Sequence, residues 1–144
     1  MSMKKIFYVL AAVLAFVLAG CKSTSVSQKA ITPSALCGEW KIASLSGFDS
    51  AKIPEATLSV MAREEDEYAI NGFSGVNRFF ANLKNTPDAF PIGDRLASTK
   101  MMGAPDDMTF EDVLTNVIAV SSSWKIEGNT LKITAGTKTA VFVK

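Results

Sequence analysis

The chain has 144 residues, 15 of them basic and 14 acidic, no histidine, and 48% hydrophobic content. That balance excludes the strongly basic face on which nucleic-acid binding depends. The missing imidazole removes the commonest general base and the commonest transition-metal ligand together.

Lys4 and Lys5 precede thirteen apolar residues, Ile6 to Leu18. As a helix this run is roughly 20 Å long, too short for the hydrocarbon core of about 30 Å, and it reads as a secretory signal over residues 1–20. Its exit, Leu18-Ala19-Gly20-Cys21, resembles the lipobox of bacterial lipoprotein precursors. The resemblance implies cleavage before Cys21, diacylation of its thiol and acylation of the new amino group. Several acyl chains are needed, because one gives only marginal, reversible membrane binding. Lys22, where an aspartate would favour inner-membrane retention, points to the outer membrane, with the domain facing the periplasm. The mature chain then has 124 residues, enough for one domain, and 13 basic residues against 14 acidic, because Lys4 and Lys5 leave with the signal. It has no polybasic grip on a bilayer, so lipid at Cys21 must be its membrane contact. Residues 21–35 are rich in Ser, Thr, Gln and Lys and read as a flexible tether, and the folded domain is expected over 36–144.

Cys37 is the remaining thiol of the mature chain. It reads as a small buried hydrophobe, with a partner-linked disulfide as the sharper alternative. "GEWKIASLSG" (38–47) puts Trp40 and Ile42 on one face with Leu45 out of phase, as in a strand with a bend. In "ATLSVMA" (56–62) Leu58 and Val60 alternate with Thr57, Ser59 and Met61. Glu64-Glu65-Asp66-Glu67 reads as a solvated turn. In "YAINGFSGVNRFFANLK" Tyr68 and Ile70 belong to one strand and Phe79 or Phe80 to the next. Asn71-Gly72 and Ser74-Gly75 supply turn residues between them. Pro87, Pro91 and Gly93 break the following region, where Phe90, Ile92 and Leu96 are apolar anchors.

Phe110, Val113, Leu114, Val117 and Ile118 follow the i, i+3, i+4, i+7, i+8 spacing of one helical face. Asp106, Asp107, Glu111 and Asp112 gather at its N-terminal end, where they complement the helix dipole rather than hold a metal. Thr109-x-x-Asp112 approximates a capping box. Three strands end the chain, with Trp124 and Ile126, Leu131 and Ile133, and Val141 and Val143 as alternating apolar pairs. Gly128-Asn129 and Ala135-Gly136-Thr137 are the hairpin turns between them. The expected fold is mainly β: seven or eight short antiparallel strands that curl or close like a small barrel, packed or plugged by one amphipathic helix.

The order "GEWKIASLSG", "INGFSGVNRFFANLK", "FPIGDRLASTKMMG", amphipathic helix, "WKIEGNTLKI", "AVFV" resembles the META domain, the HslJ-like heat-shock lipoprotein family. Ser74, Gly75, Asn77, Arg78, Phe79, Ile92, Gly93 and Thr99 keep its pattern. Val76 and Gly103 stand at or near positions where the family carries cysteines, so a disulfide available to many relatives is absent, and Val76 is expected to be an ordinary buried residue. The resemblance implies a barrel-like β domain in a bacterial envelope, linked to stress, with no enzymatic activity and no cofactor.

Two binding functions are compatible with this reading. The first is an envelope binding or chaperone-like module that holds a protein or peptide, with Asn71, Ser74, Asn77 and Arg78 as candidate surface contacts. Turn chemistry is the competing role for Asn71 and Ser74, and an ion pair for Arg78. The second is a carrier of an apolar ligand or lipid, with Phe73, Phe79, Phe80, Phe90, Met101 and Met102 lining a barrel cavity, although small barrels are commonly filled by their own side chains. A hydrolase is rejected: Ser121-Ser122-Ser123 lacks a nucleophile elbow and no histidine is available to activate it.

Overall fold

The structure, a computed structural model, describes residues 33–63, 67–84 and 96–144. The signal segment, Cys21, the tether up to residue 32, Glu64–Asp66, Pro87, Phe90, Pro91, Ile92 and Gly93 lie outside the described residues. Eight strands form one antiparallel sheet: β1 (Gly38–Leu45), β2 (Thr57–Ala62), β3 (Glu67–Phe73), β4 (Arg78–Lys84), β5 (Ala97–Ser98), β6 (Ser123–Glu127), β7 (Thr130–Ala135) and β8 (Lys138–Val143). Their order is β5-β4-β3-β2-β1-β8-β7-β6, so among the described residues the ladder is not closed into a ring. The single α-helix of the described residues, α1 (Pro105–Ala119), packs against β7 and β8.

The opening strand bends as its sequence predicts. The register between β1 and β8 shifts between Ile42 and Ser44. The extra residue of this bulge returns Leu45 to the inner face, where it is buried beside Trp40. Leu58 and Val60, Ile70, Phe79, Leu131 and Ile133 complete that inner face, and Phe110, Leu114, Val117 and Ile118 of α1 close over it. The interior is therefore filled by side chains.

Four expectations are corrected. Asn71-Gly72 is not a turn but lies inside β3, opposite Phe80 and Phe79. A side chain at Gly72 would collide with the Phe79 ring and the Thr57 carbonyl, so the glycine serves ring packing. In β8 the inward residues are Ala140 and Phe142, whereas Val143 is exposed. A run apolar on both faces does not choose its register, and the larger phenyl ring takes the core. Thr109 makes no capping box: α1 begins at Pro105 after Ala104, which caps with no side chain, and Thr109 Oγ1 donates to the Pro105 carbonyl at 2.9 Å. At the junction of the expected tether and domain, Pro33–Leu36 form a 3-10 turn. Leu36 is fully buried and its carbonyl accepts the Trp40 indole N–H at 2.8 Å. Lys144 seals the same end, its Nζ 4.3 Å from the centre of the Trp40 ring and 2.9 Å from the Cys37 carbonyl. Finally, the supposed cavity-lining residues diverge: Phe79 is in the core, while Phe80, Met101 and Met102 are exposed.

Candidate functional site

Residues 74–77 connect β3 to β4, with the Ser74 N–H donating to the Asn77 carbonyl at 2.9 Å. Gly75 makes this tight turn with φ +105°, a conformation L side chains rarely adopt. Its Cα faces Pro54 and Phe110, so the turn is packed down onto the N-terminal half of α1.

The turn meets α1 through Glu111. This carboxylate is only 6% exposed. Oε2 accepts the Asn77 backbone N–H at 2.7 Å and the Ser74 hydroxyl at 2.6 Å; Oε1 accepts the Asn77 side-chain amide at 2.7 Å. The Ser74 Oγ also lies 2.8 Å from the Asn77 carbonyl. Its single proton favours the shorter, charge-assisted contact. Burial alone pushes the Glu111 carboxyl up, but the donors from Ser74, from the Asn77 amide and from the backbone of Asn77 and Val76 outweigh it. The net effect holds the group below its ordinary value of 4.5.

Asn77 spends its whole hydrogen-bonding capacity here. Besides Glu111, its Nδ2 donates to the Met101 carbonyl at 3.0 Å, while Oδ1 accepts the Met101 N–H at 2.6 Å and the Thr99 hydroxyl at 2.8 Å. These partners also fix which end of the amide is oxygen. The result ties three segments together: the β3–β4 turn, the strand end at 99–101, and the helix.

Of the four candidate surface contacts, Ser74 and Asn77 are therefore corrected to interior residues, 0% and 2% exposed. Their polarity serves the protein's own chain. Arg78 and Asn71 stand on the outer face of the sheet, with Arg78 exposed. The Arg78 backbone is fixed by Thr99, whose N–H donates to its carbonyl at 3.0 Å and whose Oγ1 accepts its N–H at 3.1 Å. Beside it, Met101 is 65% and Met102 95% exposed.

Glu111 is the residue that sequence reasoning misplaced, as one more charge near a helix start. The signal was present in the spacing: Glu111 is three residues before Leu114 and seven before Ile118, on the border of the apolar stripe. Val76 is half-buried rather than buried, and a Cβ built on Gly103 falls 3.3 Å from the Val76 Cβ and 2.5 Å from its Cγ2. Residues 76 and 103 are thus neighbours, and the valine fills the space between them.

The META domain family model matches residues 34–144. Among curated proteins no relative matches. Two solution structures share the fold. One, described as the NMR structure of a protein, has a TM-score of 0.59 and 20% identity over 78% of this chain and 94% of that one. The other, an NMR structure of a protein from Burkholderia xenovorans, has a TM-score of 0.52 and 15% identity over 86% of this chain and 95% of that one.

Proposed function

Because the chain belongs to the META domain family, we propose that it is a non-enzymatic lipoprotein of the bacterial envelope that holds a protein or peptide partner. In this reading Cys21 carries the lipid, residues 22–32 span from the bilayer to the domain, and the domain sits on the periplasmic side of the outer membrane.

One observation supports a binding role above the others. The Asn77 side chain grips Met101 by both its N–H and its carbonyl, while the next residue, Met102, stays 95% exposed. A buried polar network holds the backbone of a segment whose two apolar side chains stand out in water, two and three residues past Thr99, which holds the backbone of the exposed Arg78. Methionine and arginine are enriched in interface cores, methionine for its adaptable shape and arginine for its forked donors. The groups that might have done chemistry are already committed. Glu111 is an acceptor filled by three donors, and the Ser74 hydroxyl is directed at it. Asn71 lies two residues before Phe73, which pairs with Arg78, and so adds a polar contact on the same face.

The strand register separates this surface from the point of chain entry. Gly38 pairs with Val60 and so lies level with Ile70, three residues from the Phe73–Arg78 pair at the end of β3. At about 3.4 Å per residue that is roughly 10 Å along the strand, before the reach of the 99–104 loop is added. Fractionation of cells making the full chain tests the placement. The expected result is an outer-membrane protein whose first residue is an acylated Cys21, released to the soluble fraction by Cys21→Ser. A soluble wild-type protein with a free thiol at residue 21 would overturn it.

A further inference from the structure

We propose that the outer face of β3, β4 and β5 carries a second site, for a short neutral saccharide. The inference rests on the reading that the domain binds without transforming what it holds, and concerns a part of its surface that shares only Asn71 with the partner surface at Arg78 and the methionine pair.

A shallow groove of about 480 Å³ crosses this face, lined by Arg63, Glu67, Asn71, Phe80, Asn82 and Ala97. Its volume falls within the roughly 300–1,000 Å³ of small-molecule sites. The register assembles it: Asn71 lies opposite Phe80, Phe80 opposite Ala97, and Asn82 opposite Ala69. With Asn71 on one side and the small Ala97 on the other, the Phe80 ring is left 45% exposed rather than covered. Neither the Asn71 nor the Asn82 amide is engaged by another group among the described residues.

These groups select the ligand's chemistry. Arg63 and Glu67 bring one charge of each sign, so the lining has no net charge to draw an ion of either kind. A neutral ligand is held by the carboxamides and the ring and needs no charge of its own. Each carboxamide offers two donors and two acceptor lone pairs, the complement of hydroxyls that both donate and accept. The Phe80 ring supplies a flat apolar platform, which a hydroxyl-rich ligand can use only if one of its faces is made of C–H groups. A pyranose ring has both properties. An extended peptide added as a strand is disfavoured here. At Phe80, β4 is paired on both sides, by Asn71 and by Ala97, and offers no backbone edge.

The test is a titration of the full chain, isotope-labelled and held in a detergent without sugar headgroups, with chitotetraose, cellotetraose and maltotetraose in turn. At least one is expected to move the amide resonances of Asn71, Phe80, Asn82 and Ala97 while those of Met101 and Met102 stay still. Phe80→Ala is expected to weaken that binding about tenfold, as loss of one stacking surface implies. Phe80→Trp, which keeps a ring, is expected to retain it. Shifts from none of the three sugars would overturn the proposal, as would an unchanged affinity in Phe80→Ala or movement of these resonances by an acidic or basic peptide instead. None of these failures touches the partner surface at Arg78, which cross-linking addresses separately.

Discussion

Asn77 and Glu111, thirty-four positions apart, face each other through two hydrogen bonds of 2.7 Å, one from the Asn77 backbone to Oε2 and one from its side-chain amide to Oε1. One residue thus holds both oxygens of a buried carboxylate. This pair fastens the helix across the end of a sheet whose own ladder stays open. It fixes the loop that presents Met101 and Met102 at the same time.

Glu111→Ala is expected to destabilise the domain by about 3 kcal/mol, since it leaves the buried Asn77 backbone N–H and one donor of the Asn77 side-chain amide without their acceptors, while the Ser74 hydroxyl can turn to the Asn77 carbonyl at 2.8 Å. Equilibrium urea unfolding measures it. Glu111→Gln keeps one acceptor but turns a donor toward other donors, and is expected to recover part of the loss.

The same carboxylate sets an acid dependence. Its pKa in the folded protein lies below the ordinary value of 4.5. Its stabilising contribution is therefore complete above the unfolded-state value and is lost as pH falls through the depressed folded value. Unfolding free energy measured in a pH series is expected to fall below about pH 4.3, with a shallower slope in Glu111→Gln. An identical slope in the two proteins would refute this assignment.

Gly72→Ala is expected to cost about 1–3 kcal/mol, the range for an overpacked interior, because the new methyl group enters the space of the Phe79 ring and the Thr57 carbonyl. Gly128→Ala is the comparison. Nothing lies within 4 Å of its added Cβ, and only its φ of +58° opposes it. Thermal melts of the two should separate packing from backbone strain.

The double substitution Val76→Cys and Gly103→Cys is expected to form a disulfide on mild oxidation. The Cβ built at residue 103 lies 3.3 Å from that of residue 76, just under the usual disulfide separation of about 3.5–4.5 Å. Mass spectrometry with and without reductant detects the bond. Its closure of the intervening chain is expected to add about 2–4 kcal/mol of stability.

Much of the fold was legible because alternation and turn chemistry agreed along most of the chain. Leu45 being out of phase announced the bulge in β1, and Gly128-Asn129 and Gly136-Thr137 marked both C-terminal hairpins. Where periodicity was silent, reading failed: in β8 both faces are apolar, and only the size of Phe142 against the core decides. The site was harder because polar residues in a turn look the same whether they face water or a buried partner. Ser74 and Asn77 read as surface residues until Glu111 was brought to them by the helix, a pairing no local spacing contains. The motif that relates the chain to its family thus turned out to be a buried strut between sheet and helix.

The partner reading is tested most directly by placing a photo-cross-linking residue at Met102 in the intact protein within its native envelope, with one at Val120 as comparison, since both positions are exposed. A discrete protein adduct from residue 102, absent from residue 120 and lost on Arg78→Glu, is predicted. No adduct from residue 102, or the same products from both positions, would contradict it.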